Sequence, residues 1–174
     1  IGLNVGSMEV EFTPTQHIFE DKKIDIGTAG SISLMLQTLT PLLFFADKKV
    51  FLQIVGGTAG LGSPTIEYIQ YVTFPLLSLL GVKAPEIEVV RHGCYPKGQG
   101  FVRAHFTPTK KLEAIQLLDR GNVKRVRGIS IAGSLPKHIS HRQAYAAKGF
   151  IVSKGYKDTH LAIMDNDNTA SSGN

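Results

Sequence analysis

The chain predicts an α+β fold, and three observations carry that prediction. Strand-like and helix-like segments follow one another in the order strand, helix, strand, helix, strand, strand. Both long apolar helical stretches begin just after a glycine-rich turn. A ten-residue segment recurs, Gly6 to Thr15 (GSMEVEFTPT) and Gly100 to Thr109 (GFVRAHFTPT), and self-similarity at so long a period points to tandem structural units rather than a solenoid.

The elements are justified in turn. Met8–Phe12 alternates apolar and acidic residues and reads as a half-exposed strand. Ile24-Asp25-Ile26 then enters the turn Gly27-Thr28-Ala29-Gly30-Ser31, which opens a helix from about Gly30 to Ala46. Lys49–Val55 reads as a second strand, followed by the glycine-rich loop Gly56–Gly62. Ser63 is the N-cap candidate of a second helix, with Pro64 at its first position and Glu67 in its first turn. Ile66, Ile69, Val72, Leu76 and Leu80 keep helical spacing, and Gly81 supplies the stop. Pro41 and Pro75 each remove a backbone bond and should bend their helices. Glu86–Val90 and Phe101–Phe106 read as strands joined by a tight Gly/Pro turn. Further on, Val123–Ala132 reads as a strand with a basic face, and Leu135-Pro136-Lys137 opens a helix to about Ala147. Two short strands, Phe150–Ser153 and Leu161–Met164, are expected after it.

Composition narrows the function classes. A chain of 174 residues, 43% of them hydrophobic, supports one compact domain or one plus part of another. Cys94 is the only cysteine, which excludes an internal disulfide and a cysteine zinc site and fits a reducing compartment. The run Ile32–Ala46 is shorter than the roughly 20 apolar residues of a membrane span. The first residues do not read as a signal peptide, and the chain reads as an internal piece of something longer. Charge is unevenly placed. Residues 91–142 hold eleven Lys/Arg against Glu113 and Asp119, whereas residues 1–90 hold five against nine acids. A concentrated basic block is the footprint of a polyanion partner such as RNA, or a solvated surface.

Several residues could carry chemistry. The Gly27–Ser31 turn offers backbone N–H groups of Gly27, Thr28, Gly30 and Ser31 at a helix N-terminus, where an anion is favoured. It lacks the lysine of a P-loop and the third glycine of a dinucleotide fingerprint. Gln37 shares a helix face with Ser33 and Thr40, and a buried amide needs a partner, either an adenine edge or neighbouring backbone. In Arg91–Gly100, Arg91 and Lys97 could hold a phosphate while Tyr95 stacks a base, or the loop is simply a turn with solvated charges. No Ser/His/Asp or Cys/His arrangement surrounds His160, which reads as structural, and Asp165–Asn168 lacks the later acid of a calcium loop.

Together these motifs resemble the RNA 3′-terminal phosphate cyclase family. The matching residues are Gly6-Ser7, Asp25–Ser31, Leu36-Gln37-Thr38 with Pro41, and Phe45-Ala46-Asp47. They continue through Gly56-Gly57-Thr58, Arg91–Gly100, Arg120-Gly121 and Leu135–Ile139. The resemblance implies a repeated unit of a four-stranded sheet backed by two helices, plus the start of a smaller α/β insert. On that reading residues 1–15 end a preceding unit, 16–132 form one unit with its following strands, and 133–174 begin the insert. It further implies ATP-dependent conversion of an RNA 3′-phosphate to a 2′,3′-cyclic phosphate through adenylated histidine and adenylated RNA. A divalent metal, Mg or Mn, assists, and the setting is cytoplasmic, or nuclear in a eukaryote. Gln37 matches the family's ATP-contacting position. Cys94 stands where an aromatic is usual and Gln99 where a glycine is usual. The family's nucleophilic segment reads His-Leu-Ala-Asp-Gln, whereas His160-Leu161-Ala162 is followed by Ile163-Met164, so no catalytic residue is assigned to this chain. The partner implied is an RNA 3′ end bearing a phosphate, with no membrane and with homo-oligomerisation left open. Two alternatives stand beside this: a non-catalytic cyclase-like protein of ribosome assembly, and an enolpyruvyl transferase.

Overall fold

The computed structural model describes residues 4, 6–15, 18–166 and 169–173. Its first part has β1 (Lys22–Asp25), α1 (Ile32–Phe44), β2 (Val50–Gly56), a second helical stretch, β3 (Glu86–Arg91) and β4 (Gly100–Phe106). The strands form one sheet in the order β1-β2-β4-β3, with β1 parallel to β2 and the other pairs antiparallel. Its second part has β5 (Val126–Gly133), α4 (His138–Ser153) and β6 (Thr159–Asn166), with β5 parallel to β6. This is the mixed α+β architecture that the alternating pattern predicts.

Period-two patterning explains why the sheet has one wet and one dry face. Val50, Leu52, Ile54 and Gly56 of β2 are buried, and their partners Phe106, Ala104, Val102 and Gly100 on β4 are buried with them. Ile32, Leu36 and Leu43 of α1 pack on that face, as do Ile66, Ile69 and Phe74 of the second helical stretch. The rings of Phe74 and Phe106 meet edge to face at 6.3 Å. On the other face Phe51 stacks on His105 at 4.4 Å, and Arg103 lies over Phe101 while pairing with Glu88.

The two prolines act differently. Pro41 stays inside a continuous α1. The second helix is broken into α2 (Ile66–Tyr68), a π-helical turn (Ile69–Thr73) and α3 (Phe74–Ser78), so the ladder changes register immediately before Pro75, which has no N–H to donate. Gly81 follows at φ +80°, the left-handed conformation a helix stop requires.

Several expectations are corrected. Met8–Phe12 forms no strand: its side chains are exposed and no described strand pairs with it, so alternation alone had no ladder to join. The first strand is instead Lys22–Asp25, beside β2. The repeated segment therefore has a strand only in its second copy, β4. The cap of α2 is Thr65, whose hydroxyl accepts from Tyr68 N–H, and not Ser63. Phe150–Ser153 is the last turn of α4 rather than a strand. Val126–Gly133 takes its hydrogen bonds from β6, which groups it with the second sheet. Residues 107–125 form no regular element but are tied down where Thr109 N–H bonds Phe44 C=O and Glu113 N–H bonds Leu80 C=O. No described helix is long and apolar enough to cross a membrane.

Candidate functional site

The two glycine-rich motifs meet. A Cβ on Gly98 would stand 2.7 Å from Ala29 Cα and 2.7 Å from Thr28 O, so the Arg91–Gly100 loop lies directly on the Gly27–Ser31 turn. A Cβ on Gly57 would stand 2.3 Å from Ala29 O, and one on Gly93 2.1 Å from Gly100 N. These glycines permit backbone-to-backbone packing of the turn, the β2 exit and the β3–β4 loop. Buried Thr58 fastens the junction. Its N–H donates to Gly93 C=O at 2.8 Å, and its hydroxyl accepts from Gly93 N–H at 3.1 Å.

Much of the turn's hydrogen-bonding capacity is spent internally. Gly27 N–H bonds the Asp25 carboxylate at 2.8 Å, Gly30 N–H bonds the Thr28 hydroxyl, and Ile32 N–H bonds Gly57 C=O. The Ser31 hydroxyl caps α1 by accepting from Leu34 N–H. The Thr28 and Ala29 N–H groups have no partner among the described residues, and Gly98 covers Ala29. The exposed part of the turn is Gly27–Thr28, where Gly27 N–H is taken by the Asp25 carboxylate and Thr28 N–H is open.

Gln37 lies about 9 Å further along the α1 axis from Ser31, at 1.5 Å per residue. It is exposed, so its amide needs no protein partner. Pro41 also cannot donate to the Gln37 carbonyl, which opens a second polar group at the same place. The face shared with Ser33 and Thr40 is thus split. Thr40 is buried and bonds Leu36 C=O, and Ser33 is wholly buried with an unpartnered hydroxyl. The buried polar group that needs explaining is Ser33, and its spacing alone could not separate it from Gln37.

In the loop, an extra residue at Val90 bulges β3 and re-aims Arg91, whose Nε donates to Gln99 C=O at 2.8 Å. Gln99 holds φ +56°, the left-handed region, which accounts for a glycine being usual there. The Tyr95-Pro96 peptide is cis. Tyr95 and Lys97 are exposed at the loop tip. Arg91 thus props the loop, while Tyr95 and Lys97 are free to meet a ligand. Of the basic block, Arg103 and Arg125 are paired with acids, and among the described residues Lys97, Lys110, Lys111, Arg120, Lys124 and Arg127 form no ion pair.

A cleft of about 430 Å³ lies between this sheet and the second part of the chain. Thr58, Glu67, His92 and Cys94 line one side, and Ser130, Gln143, Ala147 and Leu161 the other. His92 Nε2 lies 2.8 Å from the Glu67 carboxylate, and its Nδ1 lies 3.0 Å from the Asn166 amide nitrogen. The ring thus bridges Glu67 on one segment and Asn166 on another. Burial, and then the Glu67 charge, pushes the Cys94 thiol upward, so Cys94 is a protonated thiol here and not a nucleophile. Sequence reading missed this cluster because its members are 25 and 74 positions apart. Its only local signal was Glu67, which reads as an ordinary first-turn acid.

His160 is exposed on β6 and bonds Asp158 at 2.6 Å, with Arg125 on the other carboxylate oxygen at 2.8 Å. No group of three or more metal-ligating side chains occurs among the described residues.

Comparison with known proteins shows the family. The family model described as RNA 3′-terminal phosphate cyclase matches residues 1–168. The RNA 3′-terminal phosphate cyclase of Ignicoccus hospitalis is 41% identical over 162 residues, 93% of this chain and 46% of that protein. That of Methanosarcina barkeri is 45% identical over 155 residues, 89% of this chain and 46% of that protein. That of Pyrococcus abyssi is 41% identical over 147 residues, 84% of this chain and 43% of that protein. The chain thus spans a little under half the length of these relatives.

Proposed function

The chain belongs to the RNA 3′-terminal phosphate cyclase family, and we propose that it supplies the RNA-facing loop and one wall of the ATP site of an ATP-dependent RNA 3′-phosphate cyclase. The observation that carries this is the docking of the Arg91–Gly100 loop on the Gly27–Ser31 turn, with Tyr95 and Lys97 exposed above it. An exposed ring stacks a base, a lysine draws a phosphate, and the unpaired cations of residues 97–127 draw the RNA backbone.

ATP fits these residues in part: Thr28 N–H is open to one phosphate oxygen, with the Asp25 carboxylate beside it opposing the charge, and the Gln37 amide is open to an adenine edge. When bound, ATP supplies the adenylyl group that activates the 3′-phosphate. The described residues include no group of three or more His, Cys, Asp or Glu side chains that could hold a divalent metal. No histidine of this chain is assigned as nucleophile, because His160 is committed to Asp158 on an outlying strand. This reading predicts that the chain alone does not self-adenylate.

The test is binding of a short oligoribonucleotide carrying either a 3′-phosphate or a 3′-hydroxyl. The proposal predicts tighter binding of the phosphorylated end, weakened by Lys97→Ala and by Tyr95→Ala. Equal affinity for both ends, unchanged by either substitution, would overturn it.

A further inference from the structure

We propose that the outer face of α4 is a second contact for the RNA, holding nucleotides upstream of the 3′ end through their phosphates. This rests on the RNA reading above and extends it from the terminal phosphate to the strand behind it.

From Arg120 to Lys157 the sequence has nine Lys/Arg and no acid, and α4 lies inside that stretch. Lys137, His138, His141, Arg142, Tyr145 and Lys148 keep the i, i+3, i+4, i+7 spacing of one helical face. All six are exposed, and none of the basic ones forms an ion pair with a described residue. Lys137, Arg142 and Lys148 carry fixed charge, and each imidazole offers at least one N–H whatever its protonation. The opposite side of the helix is occupied. Ser140 and Ala144 are buried there, the Ser140 hydroxyl bonds the Asp165 carboxylate of β6, and Gln143 and Ala147 line the cleft. Packing thus fixes the helix and leaves its basic side bare.

Stability does not explain this placement. A helix favours acids in its first turn and cations in its last. The first turn of α4 has no acid, its N-cap Lys137 makes no side-chain cap bond, and Arg142 follows one turn later. These cations sit where the helix dipole opposes them, and a polyanion lying along the face offsets that repulsion. RNA is the polyanion that fits. Residues 138 to 148 span about 15 Å, room for several phosphates of a strand. Tyr145, 72% exposed, stands among the cations where a base can stack. One aromatic among cations is not the broad apolar face with which a surface helix enters a membrane. The same helix lines the cleft opposite His92 and Cys94 of the Arg91–Gly100 loop. A strand with its terminal phosphate at Lys97 therefore has α4 as its neighbour. The basic face turns away from the cleft, so it meets upstream nucleotides and not the terminal one.

The test uses the full 174-residue chain and 3′-phosphorylated oligoribonucleotides of about 4 and about 16 nucleotides with the same 3′ sequence. Affinity is read across a salt series, with vesicles of anionic phospholipid as a separate arm. Wild type should bind the long RNA more tightly than the short one. The double variant Arg142→Ala/Lys148→Ala, at exposed positions, should keep the helical circular dichroism of wild type. For the long RNA it should reduce the slope of log K against log salt by about 1.4, at about 0.7 per lost phosphate contact. Its binding of the short RNA should match wild type. Tyr145→Ala should weaken the long RNA about fivefold or more and leave the short one unchanged. Lys48→Ala/Lys49→Ala removes the same charge from the α1–β2 turn and should change neither slope. Equal binding of long and short RNA overturns the α4 contact. So does a length advantage whose salt slope survives Arg142→Ala/Lys148→Ala, or one that Lys48→Ala/Lys49→Ala reduces as much. In those cases a preference of the short RNA for its 3′-phosphate over a 3′-hydroxyl leaves the RNA reading standing. Vesicle binding that is lost in the α4 variant, with no length advantage for RNA, assigns the face to a membrane and overturns the proposal. If neither RNA binds, both readings fail.

Discussion

Ser33→Ala should stabilise the protein. Ser33 is the one described residue with a fully buried side-chain polar atom that lacks a hydrogen-bond partner. An unmet buried hydroxyl costs about 1–3 kcal/mol. Alanine removes that cost, and its better helix propensity adds about 0.5 kcal/mol at this position in α1. The lost oxygen forfeits a few dispersion contacts of about 0.1–0.2 kcal/mol each. The net gain is about 1–3 kcal/mol, or about 2–12 °C in melting temperature for a chain of this size. Thr40→Val is the contrast, because the Thr40 hydroxyl already bonds Leu36 C=O, so its loss should be neutral or cost up to about 1 kcal/mol. Urea unfolding followed by circular dichroism reads both, with the midpoint shifting at constant slope. A Ser33→Ala variant that is less stable than wild type by 0.5 kcal/mol or more (about half the smallest penalty for an unmet group) would show that the Ser33 hydroxyl is satisfied in the folded chain.

Other perturbations have equally definite outcomes. Gln99→Gly relieves a side chain at φ +56° and should raise stability by about 0.5–1 kcal/mol in the same unfolding assay. Gly98→Ala places a Cβ against Thr28 and Ala29 backbone at φ +66° and should cost about 2–4 kcal/mol, with loss of RNA binding as the loop lifts from the turn. The Arg125 guanidinium, and then His160, hold the Asp158 carboxyl below its usual range. A depressed folded-state value means that this contribution is present above the unfolded carboxylate range and lost as pH falls through the folded value. Arg125→Ala should therefore move the Asp158 titration upward, read by carboxyl NMR. Incubation with α-labelled ATP should leave the chain unlabelled; label that disappears in His160→Ala would make His160 the nucleophile after all.

The sequence made the sheet legible where pattern and burial agree. β2 and β4 alternate strictly because each has one face on the helices, and their pairing follows. It misled where pattern lacked a partner, as at Met8–Phe12, or where two structures share a composition, as at Phe150–Ser153. Ser63-Pro64 resembles a helix start, yet Thr65 caps because Thr58 C=O already accepts from Ile66 N–H and fixes the entry there. At the site, the glycines of 27–31 and 93–100 were visible as motifs, but their reason was not. They read as anion-cradling, and most of them serve close backbone crossings. The Glu67–His92–Asn166 cluster left no periodic trace, since it depends on contacts between distant segments.

In the proposed function, the loop seated on the Gly27–Ser31 turn presents Lys97 to an RNA phosphate. The direct measurement is the salt dependence of 3′-phosphorylated RNA binding by wild type and Lys97→Ala. Loss of one phosphate contact should lower affinity and reduce the slope of log K against log salt by about 0.7 for a single strand. Identical affinity and slope in the two proteins would mean that Lys97 makes no phosphate contact.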